Sequence, residues 1–276
     1  MSVSVRIKQK SLFKKKLNIE EIIKLTNLSY GVSDENYRII QNEIGKNTLI
    51  YDKNKLARGI DISLNDTDVV LLLSLPTSPS EIRKFYEVIE IICKKFNTQN
   101  YIREEELVSI KDNEKFIKYD EEGSIAGLED LQEKIGQNEY KKFEIFGVYN
   151  PISIGINEIK KINNNLYNLE EYLNRIQSLD VYYATPRVYR VKEKLIGIYA
   201  IGSNIPSVVP TEPYIVLNQI KGIEEWYAML KEGKTIKYND FINNAENKEY
   251  YDVNHIIVTL SDNEVDNLLE KYFIEI

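Results

Sequence analysis

The feature of this sequence that most restricts its fold is a set of four segments that recur in the same order in both halves. The chain has 276 residues, and the spacing between matched segments runs from 137 to 150 residues, close to half its length. Similar segments that recur at a nearly constant spacing indicate a repeated structural unit. The sequence therefore predicts an α+β protein of two similar tandem lobes from an internal duplication, residues 1–138 and residues 139–276.

The matched segments are short helix and strand patterns. N-I-E-E at Asn18 matches N-L-E-E at Asn168, and both have the form of a helix capping box. The other pairs of segments begin at Asn54 and Glu193, at Val69 and Tyr214, and at Gly127 and Glu264. Each match alone is weak, because amphipathic helices and apolar strands resemble one another. Two unrelated α+β segments are the alternative, and the shared order favours duplication.

Hydrophobic periodicity predicts a mixture of helices and strands without regular alternation, which is typical of α+β folds with mostly antiparallel sheets and packed helices. Ser78, Pro79 and Glu81 form a clear helix start, and S-D-N-E, residues 261–264, is predicted to cap the last helix. The other predicted helices are residues 18–28, 127–135, 155–163, 168–178 and 222–231, and the predicted strands include residues 2–9, 56–64, 69–75, 143–149, 181–190, 195–201, 214–218 and 254–260.

Charge and hydropathy exclude some classes of function. The net charge of −7 argues against a nucleic-acid binder, which needs a basic face to displace counterions from phosphates. No apolar run is long enough for a signal peptide or a membrane span, so the sequence predicts a cytoplasmic protein without a membrane partner. One cysteine, Cys93, fits a reducing compartment.

Few residues carry the patterns that catalysis needs. The single histidine, His255, lies in a strand pattern, where a half-buried structural histidine is favoured over a general base. Cys93 lies on the apolar face of a helix and is interpreted as an inert thiol. The acidic runs at 103–107 and 119–123 are interpreted as a solvated surface, with a docking face for a basic protein as the alternative. The sequence therefore predicts no catalytic residue, metal site or cofactor.

The richest polar cluster is D-V-Y-Y-A-T-P-R-V-Y-R, residues 180–190, and a strand here places Tyr183, Thr185, Arg187 and Tyr189 on one face. Arginine and tyrosine together can bind a carboxylate or phosphate through a planar fork and a phenol donor. The predicted ligand-binding residues are therefore Tyr183, Arg187, Tyr189 and Arg190. Cross-strand packing, with arginine stems covering tyrosines, is the interpretation favoured over ligand binding for this cluster.

The segment L-P-T-S-P-S-E-I-R-K-F-Y-E-V-I-E-I-I-C-K-K, residues 75–95, resembles a bacterial family known only as a domain of unknown function. That resemblance implies no activity and no functional residues.

The sequence favours a non-enzymatic protein-interaction or regulatory module with a protein partner. The acidic balance and the absence of a recognisable catalytic pattern support it. The alternative is a protein or enzyme that binds a small anionic ligand in a groove between the lobes. Neither interpretation specifies an oligomeric state or a reaction.

Overall fold

A computed structural model describes residues 1–9, 16–65 and 67–276 of the chain. The fold is α+β, as predicted. Its internal contacts divide it into two compact units, Met1–Ser178 and Leu179–Ile276. The boundary predicted after residue 138 therefore falls inside the first of these units.

The first unit is built on one antiparallel sheet with helices against it. Its strands are β1 (Ser2–Lys8), β2 (Ser29–Ser33), β3 (Ile39–Gln41), β4 (Asn47–Tyr51), β5 (Ile60–Leu64), β6 (Asp68–Ser74), β7 (Asn100–Arg103), β8 (Glu106–Ser109), β9 (Phe143–Phe146) and β10 (Pro151–Ile154). Its helices are α1 (Ile19–Thr26), α2 (Pro79–Lys95), α3 (Asn113–Gly136), α4 (Ile156–Ile162) and α5 (Leu166–Gln177). Eight strands pair in the order β3-β2-β4-β5-β6-β1-β7-β8, while β9 and β10 form a separate hairpin.

The core of the first unit lies on one face of this sheet. Alternate residues of the central strands, such as Ile60 and Ile62 of β5, point to that face and pack against α1 and α2. Because side chains alternate along a strand, Asp61 points to the opposite face. The predicted central strand at 69–75 is confirmed as β6, which pairs with β5 and β1.

Local sequence explains where the first helices begin. Asn18 accepts from the backbone N–H of Glu21, whose side chain accepts from the N–H of Asn18, so the predicted capping box of α1 is confirmed. Ser78 caps α2 and Pro79 follows at its first position, also as predicted. α3 runs from Asn113 to Gly136 and is much longer than the predicted helix at 127–135.

The second unit holds two four-stranded sheets and two helices. Its strands are β11 (Tyr182–Tyr183), β12 (Pro186–Val191), β13 (Lys194–Ala200), β14 (Ser207–Pro210), β15 (Ile223–Lys231), β16 (Lys234–Lys237), β17 (Lys248–Tyr250) and β18 (His255–Val258), and its helices are α6 (Tyr238–Asn244) and α7 (Asp262–Tyr272). The sheets have the orders β11-β14-β18-β17 and β12-β13-β15-β16. α6 and α7 pack on β15 and β16 around a core of their own.

Two segments that the repeat hypothesis matched to the first half fold differently from prediction. Residues 222–231 were expected to form a helix, but Ile223–Lys231 is β15, paired with β13 and β16. Residues 214–218 were expected to form a strand. Instead the hydroxyl of Tyr199 donates to the carbonyl oxygen of Tyr214 at 2.8 Å and accepts from its N–H at 3.3 Å. A side chain thus takes the place of a neighbouring strand, and the internal duplication is not confirmed.

The cap expected at Asn168 is also wrong. α5 begins at Leu166, because Asn165 accepts from the backbone N–H groups of Tyr167 and Asn168. Asn168 therefore lies inside the first turn of the helix. The last predicted cap is confirmed, since Ser261 and Glu264 form a capping box at the start of α7.

Among the described residues, none of the helices has both the length and the apolar character needed to cross a membrane.

Candidate functional site

A polar cavity of about 480 Å³ lies in the first unit, on the sheet face that carries Asp61. Its lining comes from the strands β2, β4, β5 and β6, from the loops that precede β3, β4 and β5, and from the end of β9 and the turn that follows it. We call it the Arg58 cavity; it is lined by Val32, Ser33, Tyr37, Lys46, Asn47, Leu49, Arg58, Gly59, Asp61, Ser74, Phe146 and Gly147.

Arg58 is the half-buried cation of this cavity. Its Nε donates to the carbonyl oxygen of Phe146 at 3.4 Å, and its Nη1 donates to the carbonyl oxygen of Pro76 at 3.3 Å. Among the described residues Nη2 donates no hydrogen bond. Burial lowers the pKa of the guanidinium, and the carboxylates of Glu81 and Asp61 oppose that shift. The guanidinium is therefore fixed in place while part of its donor capacity remains unused.

Glu81 fixes the main chain that carries Arg58. Its carboxylate accepts from the N–H of Gly59 at 2.5 Å and from the N–H of Arg58 at 3.0 and 3.2 Å. The hydroxyl of Thr77 also donates to it. Burial raises the pKa of Glu81, and these hydrogen bonds oppose the shift. Glu81 lies in the first turn of α2, so this helix anchors the loop before β5.

Gly59 allows the loop to lie close to the sheet. Its φ of +81° is unfavourable for other residues, and a Cβ built there would lie 2.6 Å from Cγ of Leu49. Glycine is required both by the backbone angle and by the contact. The close approach brings Arg58 to the edge of the cavity.

Asp61 is the acid of the cavity. Its register partners are Leu49 of β4 and Leu72 of β6, and the nearest polar side chains of these two strands in the cavity lining, Asn47 and Ser74, make no hydrogen bond with it. Within the described residues its carboxylate makes no hydrogen bond. Burial raises its pKa, and the charge of Arg58 partly opposes this shift. Asp61 is thus an ionisable group without a local partner in contact.

Two further groups border the same space. Lys46, in the turn before β4, is exposed. The ring of Tyr37 lies against Phe146, with 4.2 Å between the ring centroids. The cavity therefore combines two cations, one carboxylate and aromatic surface.

A smaller cavity of about 270 Å³ lies beside α2 and contains Lys55 and Ser80. Its polar groups pair with one another. The carboxylate of Glu170 accepts from the N–H of Ser80 at 3.0 Å and from its hydroxyl at 2.9 Å, and Nζ of Lys55 lies 2.7 Å from that hydroxyl. These groups join α5 to α2 and leave less unused hydrogen-bonding capacity for a ligand.

The residues that the sequence predicted for ligand binding lie in two different sheets of the second unit. Tyr183 is buried in β11, whereas Arg187, Tyr189 and Arg190 are exposed on β12. The strand pattern was expected to place Tyr183, Arg187 and Tyr189 on one face, but the chain leaves the strand at Ala184 and Thr185. Ligand binding by these residues stays a prediction.

His255 lies in β18, as expected, but is buried with 2% of its surface exposed. Its Nδ1 lies 2.8 Å from Oδ1 of Asp252, and its Nε2 lies 3.1 Å from the hydroxyl of Tyr183 and 3.0 Å from that of Tyr214. Because a carboxylate can only accept, Nδ1 carries the proton in this arrangement. Both ring nitrogens are satisfied, as in a structural core histidine.

The two acidic runs meet in the fold. Arg103 donates to Asp120 at 2.5 Å, and the hydroxyl of Tyr86 donates to the same carboxylate at 2.5 Å. Asp120 is buried, so one member of the predicted solvated surface is a core residue. Cys93 is also buried, as predicted, and burial raises the pKa of its thiol to about 12. A thiol with that pKa stays protonated and unreactive near neutral pH.

Sequence reasoning missed Arg58, Glu81 and Asp61 as a group. One signal was available, because Asp61 and Ser63 alternate with Ile60, Ile62 and Leu64 in a strand next to the apolar β6. A carboxylate on a central strand needs an explanation. What sequence could not supply is the hairpin of β9 and β10, which forms one wall of the cavity from more than 80 residues away.

No group of three or more His, Cys, Asp or Glu side chains in the described part of the chain is arranged to hold a metal ion. The polar groups of the Arg58 cavity are instead those that bind organic ions through hydrogen bonds and charge.

Comparisons with known proteins give one match. No curated protein and no solved structure matches the chain. A family model described as "Domain of unknown function (DUF4299)" matches residues 2–268, nearly the whole sequence. This confirms the resemblance drawn from residues 75–95, and the chain belongs to the DUF4299 family.

Proposed function

We propose that the first unit binds a small molecule through an anionic group, a carboxylate or a phosphate, in the Arg58 cavity. The observation that carries this proposal is the state of Arg58. Two main-chain carbonyl oxygens hold its guanidinium, and within the described residues its Nη2 has no acceptor at the edge of a cavity of about 480 Å³. That volume is in the range of small-molecule sites.

Preorganisation of the Arg58 guanidinium lowers the free-energy cost of binding an anion. A guanidinium already held in one orientation loses little conformational entropy when an anion binds. Hydrogen bonds between charged groups contribute about 1.5–3 kcal/mol each, and a tenfold change in affinity corresponds to about 1.4 kcal/mol. One contact to Arg58 therefore contributes roughly 10- to 100-fold in affinity. Lys46, at the rim, adds a longer-range attraction for the same charge.

This function is the anionic-ligand alternative of the sequence analysis, with the site moved to residues that the sequence did not single out. The protein-interaction function stays a prediction, motivated by the acidic composition and the lack of a recognisable catalytic pattern. A cytoplasmic location stays a prediction, motivated by the lack of a long apolar run in the sequence and by the single cysteine. No contact among the described residues favours a particular protein partner.

The test is ligand-induced thermal stabilisation of the full chain with phosphate, acetate, citrate and the common amino acids and nucleotides. Binding at 100 times the dissociation constant stabilises a protein by about 2.7 kcal/mol, which a melting experiment resolves. We expect Arg58→Gln to weaken binding of the stabilising anion by about 10- to 100-fold in isothermal titration calorimetry.

Two matched variants make this test specific. Arg175→Gln removes the same charge from an exposed position on α5 and should leave the affinity unchanged. Arg187→Gln tests the site predicted from the sequence. Loss of binding in the Arg187 variant, with the Arg58 variant unaffected, would move the site to β12. The proposal fails if no anion in the panel stabilises the protein.

A further inference from the structure

Building on the function proposed above, we propose that the ligand of the Arg58 cavity is a zwitterion of the amino-acid type. Arg58 binds its carboxylate and Asp61 binds its ammonium group. A purely anionic ligand would leave Asp61 without a partner of opposite charge.

Asp61 and Arg58 face the same cavity without contacting each other. No ion pair within 4.0 Å joins them among the described residues. The carboxylate of Asp61 nevertheless raises the pKa of Arg58, and the guanidinium of Arg58 lowers the pKa of Asp61. Two opposite charges near each other usually close into a contact when nothing prevents it. Here the carbonyl oxygens of Phe146 and Pro76 hold the guanidinium, and the sheet holds Asp61. The main chain therefore keeps the guanidinium of Arg58 apart from the carboxylate of Asp61.

The surroundings of Asp61 define what it can bind. Its direct neighbours across the sheet are leucines, the neutral polar groups of the lining include Asn47 and Ser74, and the titratable or charged groups are Arg58, Lys46 and Tyr37. A partly buried carboxylate without an ion-pair partner gains most from a group that brings both a positive charge and N–H donors. An ammonium group does both, while a plain carboxylate ligand would add repulsion.

The size of the cavity agrees with this class of ligand. About 480 Å³ exceeds the needs of one carboxylate and one ammonium group and leaves space for a side chain. The rings of Tyr37 and Phe146 lie at one wall, where apolar atoms of that side chain can pack.

The experiment compares matched ligands with the full chain by isothermal titration calorimetry. The probes are three sets: L-leucine, 4-methylpentanoate and 2-hydroxy-4-methylpentanoate; L-glutamate, glutarate and 2-hydroxyglutarate; L-phenylalanine, 3-phenylpropanoate and 3-phenyllactate. In at least one set we expect the amino acid to bind ten or more times more tightly than both of its analogues. Arg58→Gln should weaken all members of that set.

Asp61→Asn should reduce the preference for the amino acid to within about threefold. Asp130→Asn, the same change at an exposed position of α3, should leave the preference intact. The wild-type protein gives a check that needs no variant. Because the ammonium group prefers ionised Asp61, the affinity should fall as the pH drops through the raised pKa of that carboxyl, and the analogues should not follow.

The outcomes separate the two proposals. If carboxylates without an amino group bind as tightly as the amino acids and depend on Arg58, the proposed function stands and the zwitterion is wrong. If the hydroxy acids match the amino acids, Asp61 binds a neutral donor and the inference is equally overturned. If none of these probes binds but an anion of the thermal panel does, the zwitterion is wrong and the proposed function stands; if no anion of either set binds, both proposals fail.

Discussion

At the scale of single residues, the first unit holds two opposite charges beside one cavity without an ion pair between them. Asp61 lies between leucines on a central sheet, and Arg58 is held by neutral carbonyl oxygens and not by a carboxylate in contact. Buried charges are usually paired because unpaired ones are costly. Sites that bind ligands are a common exception, since the ligand supplies the missing partner.

This cost predicts that Asp61→Asn stabilises the free protein at pH 7. The folded pKa of Asp61 is raised, so the stability that its protonated form provides is present at low pH and is lost as the pH rises through that pKa. The amide has the same shape and cannot ionise. We expect a gain of about 0.5–2 kcal/mol in the free energy of unfolding by urea denaturation, typical of such substitutions.

The pH dependence gives the control for this prediction. The gain over wild type should shrink as the pH is lowered, because wild-type Asp61 then becomes neutral as well. Asp130→Asn should show no comparable gain at pH 7. A variant at Asp61 that is less stable than wild type at pH 7 would mean that the charge of Arg58 already compensates this carboxylate.

At the scale of secondary structure elements, the sequence predicts correctly those helices and strands whose local capping residues and hydrophobic pattern indicate the same structure. The caps of α1, α2 and α7 are local hydrogen bonds, and the apolar run of β6 predicts a central strand, so these elements were readable. β15 was not. Its Trp226, Ala228 and Leu230 alternate toward the core, but the aromatic pair of Trp226 and Tyr227 also fits a helical face. Pairing with β13 and β16, which sequence cannot reveal, decides between the two.

The packing of β13 on β15 predicts the effect of Gly197→Ala. Gly197 is the register partner of Trp226, and a Cβ at Gly197 would lie 2.3 Å from its ring. The ring must move, so we expect a loss of about 1–3 kcal/mol in the free energy of unfolding. Trp226 is the only tryptophan, so its fluorescence reports this movement directly, as a red shift of the emission.

Gly136→Ala is the matched control for this substitution. Gly136 lies at the end of α3, and a Cβ there meets nothing within 4 Å. That variant should keep the wild-type emission and its stability or gain slightly. Unchanged emission and stability in the Gly197 variant would show that the strand has room for a methyl group after all.

At the scale of the whole molecule, the division of the chain follows long-range hydrogen bonds that the sequence repeat did not indicate. Residues 139–178 were assigned to the second lobe because the matched segments are spaced by half the chain. In the fold, Asn174 accepts from the N–H of Leu56 at 2.9 Å, and Glu170 binds the start of α2. Gln177 accepts from the N–H of Tyr149 at 2.6 Å. These bonds hold α5 and the β9–β10 segment to the first unit.

Residues 1–178 should suffice for folding and for ligand binding. A fragment of residues 1–178 contains the whole lining of the Arg58 cavity and a complete core. We expect it to unfold cooperatively in circular dichroism melting and to bind the same ligand with the affinity of the full chain. A fragment of residues 1–138 lacks Phe146, Gly147 and α5, so apolar surface on α2 and α3 is exposed and one cavity wall is missing. It should aggregate or melt without cooperativity, because a domain folds alone only when it can cover its core. If residues 1–138 fold as stably as residues 1–178, the boundary at the middle of the chain regains support, and the later segment is an addition to a complete domain.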